Sequence, residues 1–361
     1  MSRRPRIGIA GLGDIARLHA QGLKAHPDIE LAVCRGRNPG SADVFARDFE
    51  AIVYDSWQQM LSDERVIAVD LCVPNDLHRR YTEEAATAGK HVICEKPVAM
   101  TTEDATAMVG ACRTAGVELM VAHVLRFWPE YVSMRDMLQS GALGQCHAIT
   151  LRRMLSLLLS VSGSQGWRQD PRRMGGAILD LQIHDIDFLL WTFGIPESVY
   201  CVGARSEDGG LNHVYTVLNY GNGPRAFIEA SYMLQGDPMI FMAKAVCERG
   251  SLDYAMNLDQ FDMHEMQGGD TGAKSRSAAS LVCYRPGAEP EVLHHADPKV
   301  LENVFRNEML HFTNCALSRA ENDTASTADA VAAVGVVEAC QESIRTGSVV
   351  SLSETAALLR D

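Results

Sequence analysis

The chain has 361 residues, of which 47% are hydrophobic and 22% are charged, so it suits two folded domains rather than a disordered protein. Its formal net charge of −13 argues against a nucleic acid or a membrane surface as partner, because both need a basic face. The cysteines form no closely spaced pair and no apolar run could span a membrane, so we expect a cytoplasmic protein with reduced thiols.

The first predicted strand, 6–10, runs directly into a glycine-containing turn. Gly11-Leu12-Gly13-Asp14-Ile15-Ala16 follows it and leads into a helix near 14–25. In this Gly-x-Gly-x-x-Ala pattern the glycines permit a tight turn and close approach of a pyrophosphate, and the helix N-terminus offers free N–H groups to it. A glycine turn without a ligand is the alternative. We predict a dinucleotide site at Gly11, Gly13, Asp14 and Ile15.

The rest of the first third alternates short apolar strands with helical patterns. Alternation of this kind is typical of parallel strands joined by crossover helices. Residues 1–122 are therefore predicted to form a Rossmann dinucleotide-binding domain, an α/β fold with a doubly wound parallel sheet. Its further strands are predicted near 30–35, 52–54, 68–73, 91–94 and 117–122, and its further helices near 40–49, 56–62, 77–88 and 102–115.

The end of the second strand carries basic residues where a nucleotide-binding acid is often found. An NAD-specific site usually has Asp or Glu about 20 residues past the glycine turn, to bind the ribose hydroxyls. This chain has Cys34-Arg35-Gly36-Arg37 instead. Because a guanidinium group binds a 2′-phosphate that a carboxylate would repel, we predict that Arg35 and Arg37 favour NADP(H), with NAD(H) still accepted. Alternatively, Arg35 stacks on adenine without discriminating.

Glu95-Lys96-Pro97 closes the strand predicted near 91–94. A lysine at the carboxyl end of a parallel strand points into the ligand crevice of a doubly wound fold. The proline beside it restricts the backbone and can hold the lysine in place. Lys96 is therefore a candidate for binding or catalysis, and a surface lysine in an ordinary turn is the alternative.

After residue 123 the pattern changes from alternation to successive strands. Gly/Asn/Asp/Pro turns separate apolar segments between about 197 and 294, which predicts an open and mostly antiparallel sheet. We predict a substrate-binding and oligomerisation α+β domain over 123–361, whose final helices are candidates to pack back toward the N-terminal domain. Its other elements are helices near 129–140, 176–193, 299–319 and 327–346, and a strand near 146–154.

The helix predicted over 176–193 carries a dense set of polar residues. Asp180 and His184 are four residues apart and share a helix face, and Asp187 extends that face. The apolar residues around them indicate a largely buried helix. The pair is either a hydrogen bond of the core or a general base with the residue that orients it. A metal site of Asp180, His184 and Asp187 is a third reading, but it lacks further ligands.

The glycine turn, Glu95-Lys96-Pro97 and Asp180-x-x-x-His184 together resemble the Gfo/Idh/MocA oxidoreductase family, which includes glucose–fructose oxidoreductase and inositol dehydrogenases. Further segments resemble the family over almost the whole chain. They are Pro74-Asn75-Asp76-Leu77-His78, the segment from His123 to Pro129 with Arg126, and Trp167-Arg168 ahead of Gly175-Gly176. Arg35 departs from the commoner pattern, which has an acid there. The resemblance implies a Rossmann domain and a second domain whose large open sheet makes a homodimer or homotetramer.

Carried over by residue, the resemblance implies that Lys96, Asp180 and His184 are catalytic. His184 would take the alcohol proton as hydride leaves the adjacent carbon. Asp180 would orient the imidazole, and Lys96 would hydrogen-bond the reacting oxygen. No metal is expected. The resemblance places Pro74, Asn75, His78, Glu95 and Lys96 at the cofactor, and Lys96, Arg126, Trp167, Arg168, Asp180 and His184 at the substrate.

The expected activity is NADP-dependent hydride transfer to or from a secondary alcohol of a sugar, a sugar derivative or a cyclitol. A glycosidase or lyase that oxidises its substrate transiently with bound cofactor is one alternative. A non-catalytic NADP-sensing regulator is another, although such a protein has no evident need for an acid–base pair. Four arginines (Arg152, Arg153, Arg172 and Arg173) allow an anionic substrate, but a solvated basic patch is the favoured explanation.

Overall fold

The structure is a computed structural model that describes residues 4–36, 38–156, 166–235, 239–256, 279–320 and 322–353. It divides into two compact units. The first contains residues 1–127, 163–174 and 302–334, and the second contains 128–162, 175–301 and 335–361. Within the described part of the chain, no helix combines the length and the apolar character needed to cross a membrane.

A six-stranded sheet forms the centre of the first unit, with strand order β3-β2-β1-β4-β5-β6 and parallel pairing throughout. The strand order reverses between β1 and β4, and such a switch point opens a ligand crevice at the carboxyl ends of the strands. The strands are β1 (Arg6–Ala10), β2 (Glu30–Cys34), β3 (Ile52–Tyr54), β4 (Val66–Leu71), β5 (His91–Glu95) and β6 (Leu119–Ala122).

Two helices of the first unit begin after a residue whose side chain satisfies one of their first N–H groups. The Ser56 hydroxyl accepts from the Gln59 N–H, and the Thr101 hydroxyl accepts from the Asp104 N–H, so both act as N-caps. The α-helices are α1 (Asp14–Lys24), α2 (Pro39–Phe49), α3 (Trp57–Ser62), α4 (His78–Thr87), α5 (Thr102–Ala115), α6 (Pro129–Gln139), α7 (Pro171–Met174), α8 (Ile183–Phe193), α9 (Val300–Ala316) and α10 (Thr327–Thr346).

Helix α9 belongs to the core of the first unit although it lies far along the chain. Met309 and Phe312 are fully buried and cluster with Ile7, Ile9 and other sheet residues. The approach of α1 to α9 is close, because a Cβ atom at Gly22 would lie only 2.9 Å from the Phe305 carbonyl oxygen. Helix α9 therefore covers one face of the six-stranded sheet.

Glu308 on α9 is an unsatisfied acid inside this core. It is fully buried, and neither carboxylate oxygen has a hydrogen-bond partner among the described residues. Burial raises the pKa of Glu308 well above its usual value, with Glu95 and Asp70 adding to the rise and His19 opposing it. The native protein therefore holds a proton on Glu308 that the unfolded chain releases.

The Glu308→Gln variant is expected to be more stable than the parent at pH 8, by about 1–3 kcal/mol, because a neutral amide avoids the cost of taking up a proton that the unfolded chain has released. Because the folded-state pKa is raised, the parent loses stability as pH rises from the ordinary glutamate value, and the variant lacks this loss. Urea unfolding at pH 4 and pH 8 measures the two slopes. Glu302→Gln, on an exposed side chain of the same helix, is the control, and parallel curves for parent and Glu308→Gln would contradict the prediction.

The second unit is built on a nine-stranded sheet of order β14-β13-β12-β11-β7-β10-β9-β8-β15. Its pairs are antiparallel except for the central pair, β7 and β10, which is parallel. The strands are β7 (Cys146–Met154), β8 (Ser198–Arg205), β9 (Leu211–Asn219), β10 (Arg225–Ser231), β11 (Ile240–Cys247), β12 (Gly250–Met256), β13 (Ala279–Tyr284), β14 (Glu291–His295) and β15 (Val350–Ser351).

The predicted fold class is confirmed, with a parallel doubly wound sheet and a mostly antiparallel open sheet. Two local predictions need correction. The single helix predicted over 176–193 is wrong, because a π-helical turn at Ala177–Leu181 precedes α8. The short strand β15 was not predicted, since two residues give no periodic signal. Its pairing partner, β8, lies far away in the sequence.

Candidate functional site

The glycine turn after β1 has room for a phosphate group. Gly11 has a φ of +87°, and a Cβ atom there would lie 2.2 Å from the Cys72 carbonyl oxygen, so only glycine fits. At Gly13 no described heavy atom lies within 4 Å of the Cβ position. Nor does any described side chain cap the first turn of α1, which begins at Asp14. Open N–H groups behind a glycine cradle are what a dinucleotide pyrophosphate requires, so these residues fit the cofactor.

Lys96 lies in the turn that follows β5, also in the first unit, and its side chain is half-buried. The Glu95 carboxylate accepts a hydrogen bond from the Lys96 N–H at 3.0 Å. On the other side of the turn, the His78 ring lies 2.9 Å from the Pro97 carbonyl and 3.0 Å from the Val73 carbonyl. Burial lowers the pKa of His78, so the neutral ring donates to one of them. The backbone on both sides of Lys96 is therefore fixed.

The loop after β4 is joined to the segment that contains Trp167 and Arg168. The Asn75 side chain donates to the Met174 carbonyl at 2.9 Å, and Asp76 pairs with Arg173 at 2.9 Å. These contacts lie within the first unit. The Arg168 guanidinium stacks on the Trp167 ring at 4.7 Å.

Arg168 also acts on the glycine turn. Burial raises the pKa of Asp14, and the charge of Arg168 opposes that rise. The charge of Arg168 thus acts on the first residue of α1, and the ligand contacts of Trp167, Arg168, Asn75 and Asp14 remain predictions. Pro74 lies in the same loop, directly before Asn75. Ile15 is the second residue of α1.

Arg35, the residue predicted to bind a 2′-phosphate, already has carboxylate partners. Its guanidinium donates two hydrogen bonds to Asp43 on α2, both at 2.8 Å, and lies 3.6 Å from Asp55. Sequence reasoning missed Asp43 because the pairing connects a loop to the following helix. Arg37 lies outside the described residues, so the structure does not test its predicted role.

Arg126 is held by the C-terminal part of the first unit. Its side chain is buried and donates to the Thr324 carbonyl and to Asp329, both at 2.9 Å. These partners are about 200 residues away in the chain, so no sequence pattern could indicate them. The geometry gives Arg126 a structural partner, and its predicted contact to substrate stays a prediction.

Asp180 and His184 belong to the second unit, where a glycine pair starts their segment. Gly176 has a φ of +73°, and a Cβ atom there would lie 2.9 Å from the Leu211 carbonyl, so the chain passes close to β9. The following π-helical turn contains Asp180, and π-helical turns are frequent at functional sites. His184 is the second residue of α8 and is partly exposed.

Tyr232 is a partner of Asp180 that sequence reasoning missed. Asp180 is 1% exposed, and the Tyr232 hydroxyl donates to its Oδ2 atom at 2.5 Å. Tyr232 follows β10 and lies 52 residues beyond Asp180, outside any helical or strand spacing. A hydrogen-bonded, buried carboxylate is suited to orient and charge-stabilise an imidazole.

The arginines predicted as a possible anion site are paired with acids of the protein. Arg153 is buried and donates to Asp185 at 2.9 Å, Arg152 pairs with Glu229, and Arg172 pairs with Asp170. Arg173 is the partner of Asp76. These pairings favour a structural explanation of the four arginines. Asp187, the third residue of the alternative metal site, is buried. Residues 157–165, ahead of Trp167, lie outside the described residues.

Two family models match the chain. One, described as an oxidoreductase family with an NAD-binding Rossmann fold, matches residues 5–123, and the GFO/IDH/MocA C-terminal domain matches residues 131–253. D-xylose 1-dehydrogenase (NADP(+)) 2 of Haloferax volcanii is 25% identical over 354 residues, covering 96% of this chain and 98% of that protein. Inositol 2-dehydrogenase of Rhizobium meliloti is 23% identical over 357 residues, with 96% and 99% covered.

A solved structure supports the same fold. The aldose-aldose oxidoreductase from Caulobacter crescentus, complexed with glycerol, superposes with a TM-score of 0.79 at 23% identity. The match covers 97% of this chain and 100% of the aldose-aldose oxidoreductase chain.

Proposed function

Because the chain belongs to the Gfo/Idh/MocA oxidoreductase family, we propose that it is an NADP-dependent dehydrogenase acting on a secondary alcohol of a sugar or cyclitol. The supporting observation is the open glycine cradle at the N-terminus of α1, in the same unit as the fixed turn that presents Lys96. His184 is the proposed acid–base group, and the buried Asp180, which accepts from Tyr232, lies four residues before it in the chain. The named activities of the two relatives are of this class.

Each residue of the proposed catalytic set has one role. Bound nicotinamide supplies the hydride acceptor or donor. His184 removes the hydroxyl proton, and Asp180 stabilises the charged imidazole that results. Lys96 donates a hydrogen bond to the reacting oxygen and stabilises its developing negative charge. Gly11, Gly13 and the first turn of α1 hold the pyrophosphate.

A screen of sugars and cyclitols with NADP and NAD tests the activity by the absorbance of the reduced nicotinamide. Turnover of at least one secondary alcohol is the expected result. Product formed without net reduction of nucleotide would indicate instead a lyase that returns its hydride. Tight nucleotide binding without turnover of any alcohol would indicate a sensor.

We propose NADP as the preferred cofactor on the strength of Arg35, and Asp43 is expected to moderate that preference. A 2′-phosphate must share or displace the carboxylate that Arg35 already binds. We expect Arg35→Asp to weaken NADPH binding about tenfold relative to NADH, and Asp43→Asn to strengthen it selectively. Arg35 is partly exposed, so solvent screens its charge. The expected loss of NADPH affinity is therefore at the lower end of the range for a charge-assisted hydrogen bond.

The dissociation constants of NADPH and NADH, measured by fluorescence titration, give the ratio directly. Arg47→Ala removes an exposed arginine of α2 and serves as the control. If Arg35→Asp leaves the NADPH/NADH ratio at its parent value, discrimination lies elsewhere in the site. An Asp43→Asn variant that binds NADPH more weakly would show that Asp43 positions Arg35 productively.

We propose that the outer face of the nine-stranded sheet makes a homodimer or homotetramer. Large apolar side chains are exposed on this face, whereas its charges pair internally, as Lys244 does with Asp253. A self-complementary patch of this kind suits a symmetric interface. The patch consists of Tyr200, Val202, Tyr215, Phe227, Val246, Tyr284 and Val292.

Light scattering of a Phe227→Glu variant tests the interface. We expect the variant to lower the molar mass of the particle, because a carboxylate buried at the centre of an apolar interface is costly. Val44→Glu places the same charge on an exposed valine of the first unit and should leave the mass unchanged. A parent that is monomeric at every concentration would remove this proposal.

We also propose that the protein works in the reducing cytoplasm. All ten cysteines are free thiols, and eight of them are buried. Buried free cysteines are typical of proteins that never meet an oxidising compartment.

A further inference from the structure

His19 on α1 is a fully buried histidine that the proposed chemistry does not use. It lies in the second turn of the helix whose first turn faces the nucleotide cradle. Its Nδ1 atom lies 3.0 and 3.1 Å from the two Asp70 carboxylate oxygens, and its Nε2 atom lies 3.1 Å from the Oε1 atom of Glu95. One imidazole therefore joins α1 to the ends of β4 and β5.

The contacts indicate that the His19 ring is positively charged. Nδ1 donates to Asp70, whereas Nε2 lies 3.1 Å from Glu95 as an ion pair without the geometry of a hydrogen bond. Because carboxylates only accept, two of them around one ring favour its doubly protonated form. Burial alone would disfavour the charge, but Asp70 raises the pKa of His19 well above its usual value. The interaction also affects Glu95. Burial opposes the ionisation of Glu95, whereas His19 lowers the pKa of that carboxyl. Two carboxyl groups thus share one imidazole ring.

Cys72 completes a group whose ligand atoms lie within 4.8 Å of one another, a spacing that a metal ion could also use. Burial raises the pKa of the Cys72 thiol, and the thiol donates to Asp70. Hydrogen bonds and charge account for the group without an ion.

The contact between His19 and Glu95 reaches Lys96 through the backbone. One Glu95 oxygen faces His19, and the other accepts the Lys96 N–H at 3.0 Å. The orientation of this carboxylate therefore depends on the imidazole, and the start of the lysine turn depends on the carboxylate. A displacement of about 1 Å at a reacting group can cost a hundredfold in rate.

We propose that His19 is a positioning residue for Lys96, acting through the carboxylate of Glu95. It joins the nucleotide-binding helix to the turn that presents the lysine, so that the cofactor cradle and the catalytic cation keep one geometry. The consequence for catalysis rests on the function proposed above, whereas the consequence for the position of Lys96 does not.

Two substitutions separate the contacts of His19. His19→Gln places an amide donor near the position of Nε2 and can keep a polar contact with Glu95, whereas His19→Asn places one near Nδ1 and keeps only the hydrogen bond to Asp70. We expect His19→Asn to lower kcat by about ten- to a hundredfold with little change in KM, and His19→Gln to stay within about threefold of the parent. Both should lose similar stability in urea unfolding.

A second measurement needs no substrate. Reductive ¹³C-methylation labels lysine amines, and the Lys96 signal is identified by its loss in Lys96→Arg. We expect this signal to move in His19→Asn and to keep its parent position in His19→Gln, with nucleotide bound. A parent without turnover defeats the proposed function, and this signal still decides the role of His19.

Equal effects of the two variants on kcat and on the Lys96 signal would overturn the proposal, and so would the absence of any effect in both. Either result would make His19 a purely structural residue of the core.

Discussion

Replacing His184 with alanine is expected to lower kcat by about 10²- to 10⁴-fold, the usual contribution of one positioned general base. Without the imidazole, the hydroxyl proton has no acceptor as hydride leaves the neighbouring carbon. The dissociation constant of the nucleotide should stay within about twofold, because the cofactor cradle belongs to a separate compact unit of the chain. Steady-state kinetics on the best alcohol from the screen, together with nucleotide titration, measures both quantities.

The control for this variant is His295→Ala, which removes an exposed histidine from β14 of the same unit. Tyr232→Phe adds a graded comparison, because it removes one hydrogen bond to Asp180 and leaves the carboxylate in place. We expect a smaller loss of kcat from Tyr232→Phe, of about tenfold. A His184→Ala enzyme with kcat within threefold of the parent would remove His184 from the chemistry.

Local patterns predicted most of the elements that position these residues. The bounds of β1, β3, α5 and α10 agree with the prediction residue for residue, because apolar periodicity and capping residues are local signals. The π-helical turn around Asp180 was missed, since one turn is too short to show a periodicity different from that of the α-helix that follows it.

The partners of the candidate residues were harder to predict than the residues themselves. A motif indicated Lys96, Arg35 and Asp180, but each partner comes from elsewhere in the fold. Asp43 binds Arg35 from the next helix, and Tyr232 reaches Asp180 from the end of β10. His19 shows the same limit, because its place between two carboxylates depends on the packing of α1 against β4 and β5. Tertiary contacts of this kind leave no spacing in the sequence.

Replacing Lys96 with alanine is the second substitution with a large expected effect, a loss of about 10²- to 10³-fold in kcat. The ammonium group is proposed to donate to the oxygen that gains negative charge, an interaction that is strongest in the transition state. Both kcat and kcat/KM should therefore fall together. Lys24→Met is the control, because it removes an exposed lysine of α1 that pairs with Glu50.

Chemical rescue gives the Lys96 prediction a sharper readout than loss of activity alone. A small alkylammonium ion can occupy the space left by the side chain and supply the missing donor, so added ethylamine should restore part of kcat in Lys96→Ala. The same amine should do nothing for His184→Ala, because that variant lacks a proton acceptor. If Lys96→Ala loses nucleotide binding instead of turnover, the lysine belongs to the cofactor site and another group donates to the reacting oxygen.

Because Lys96 and His184 are proposed to act in one step, the double variant should be little slower than the worse single variant. Losses that multiply would place the two residues in separate steps.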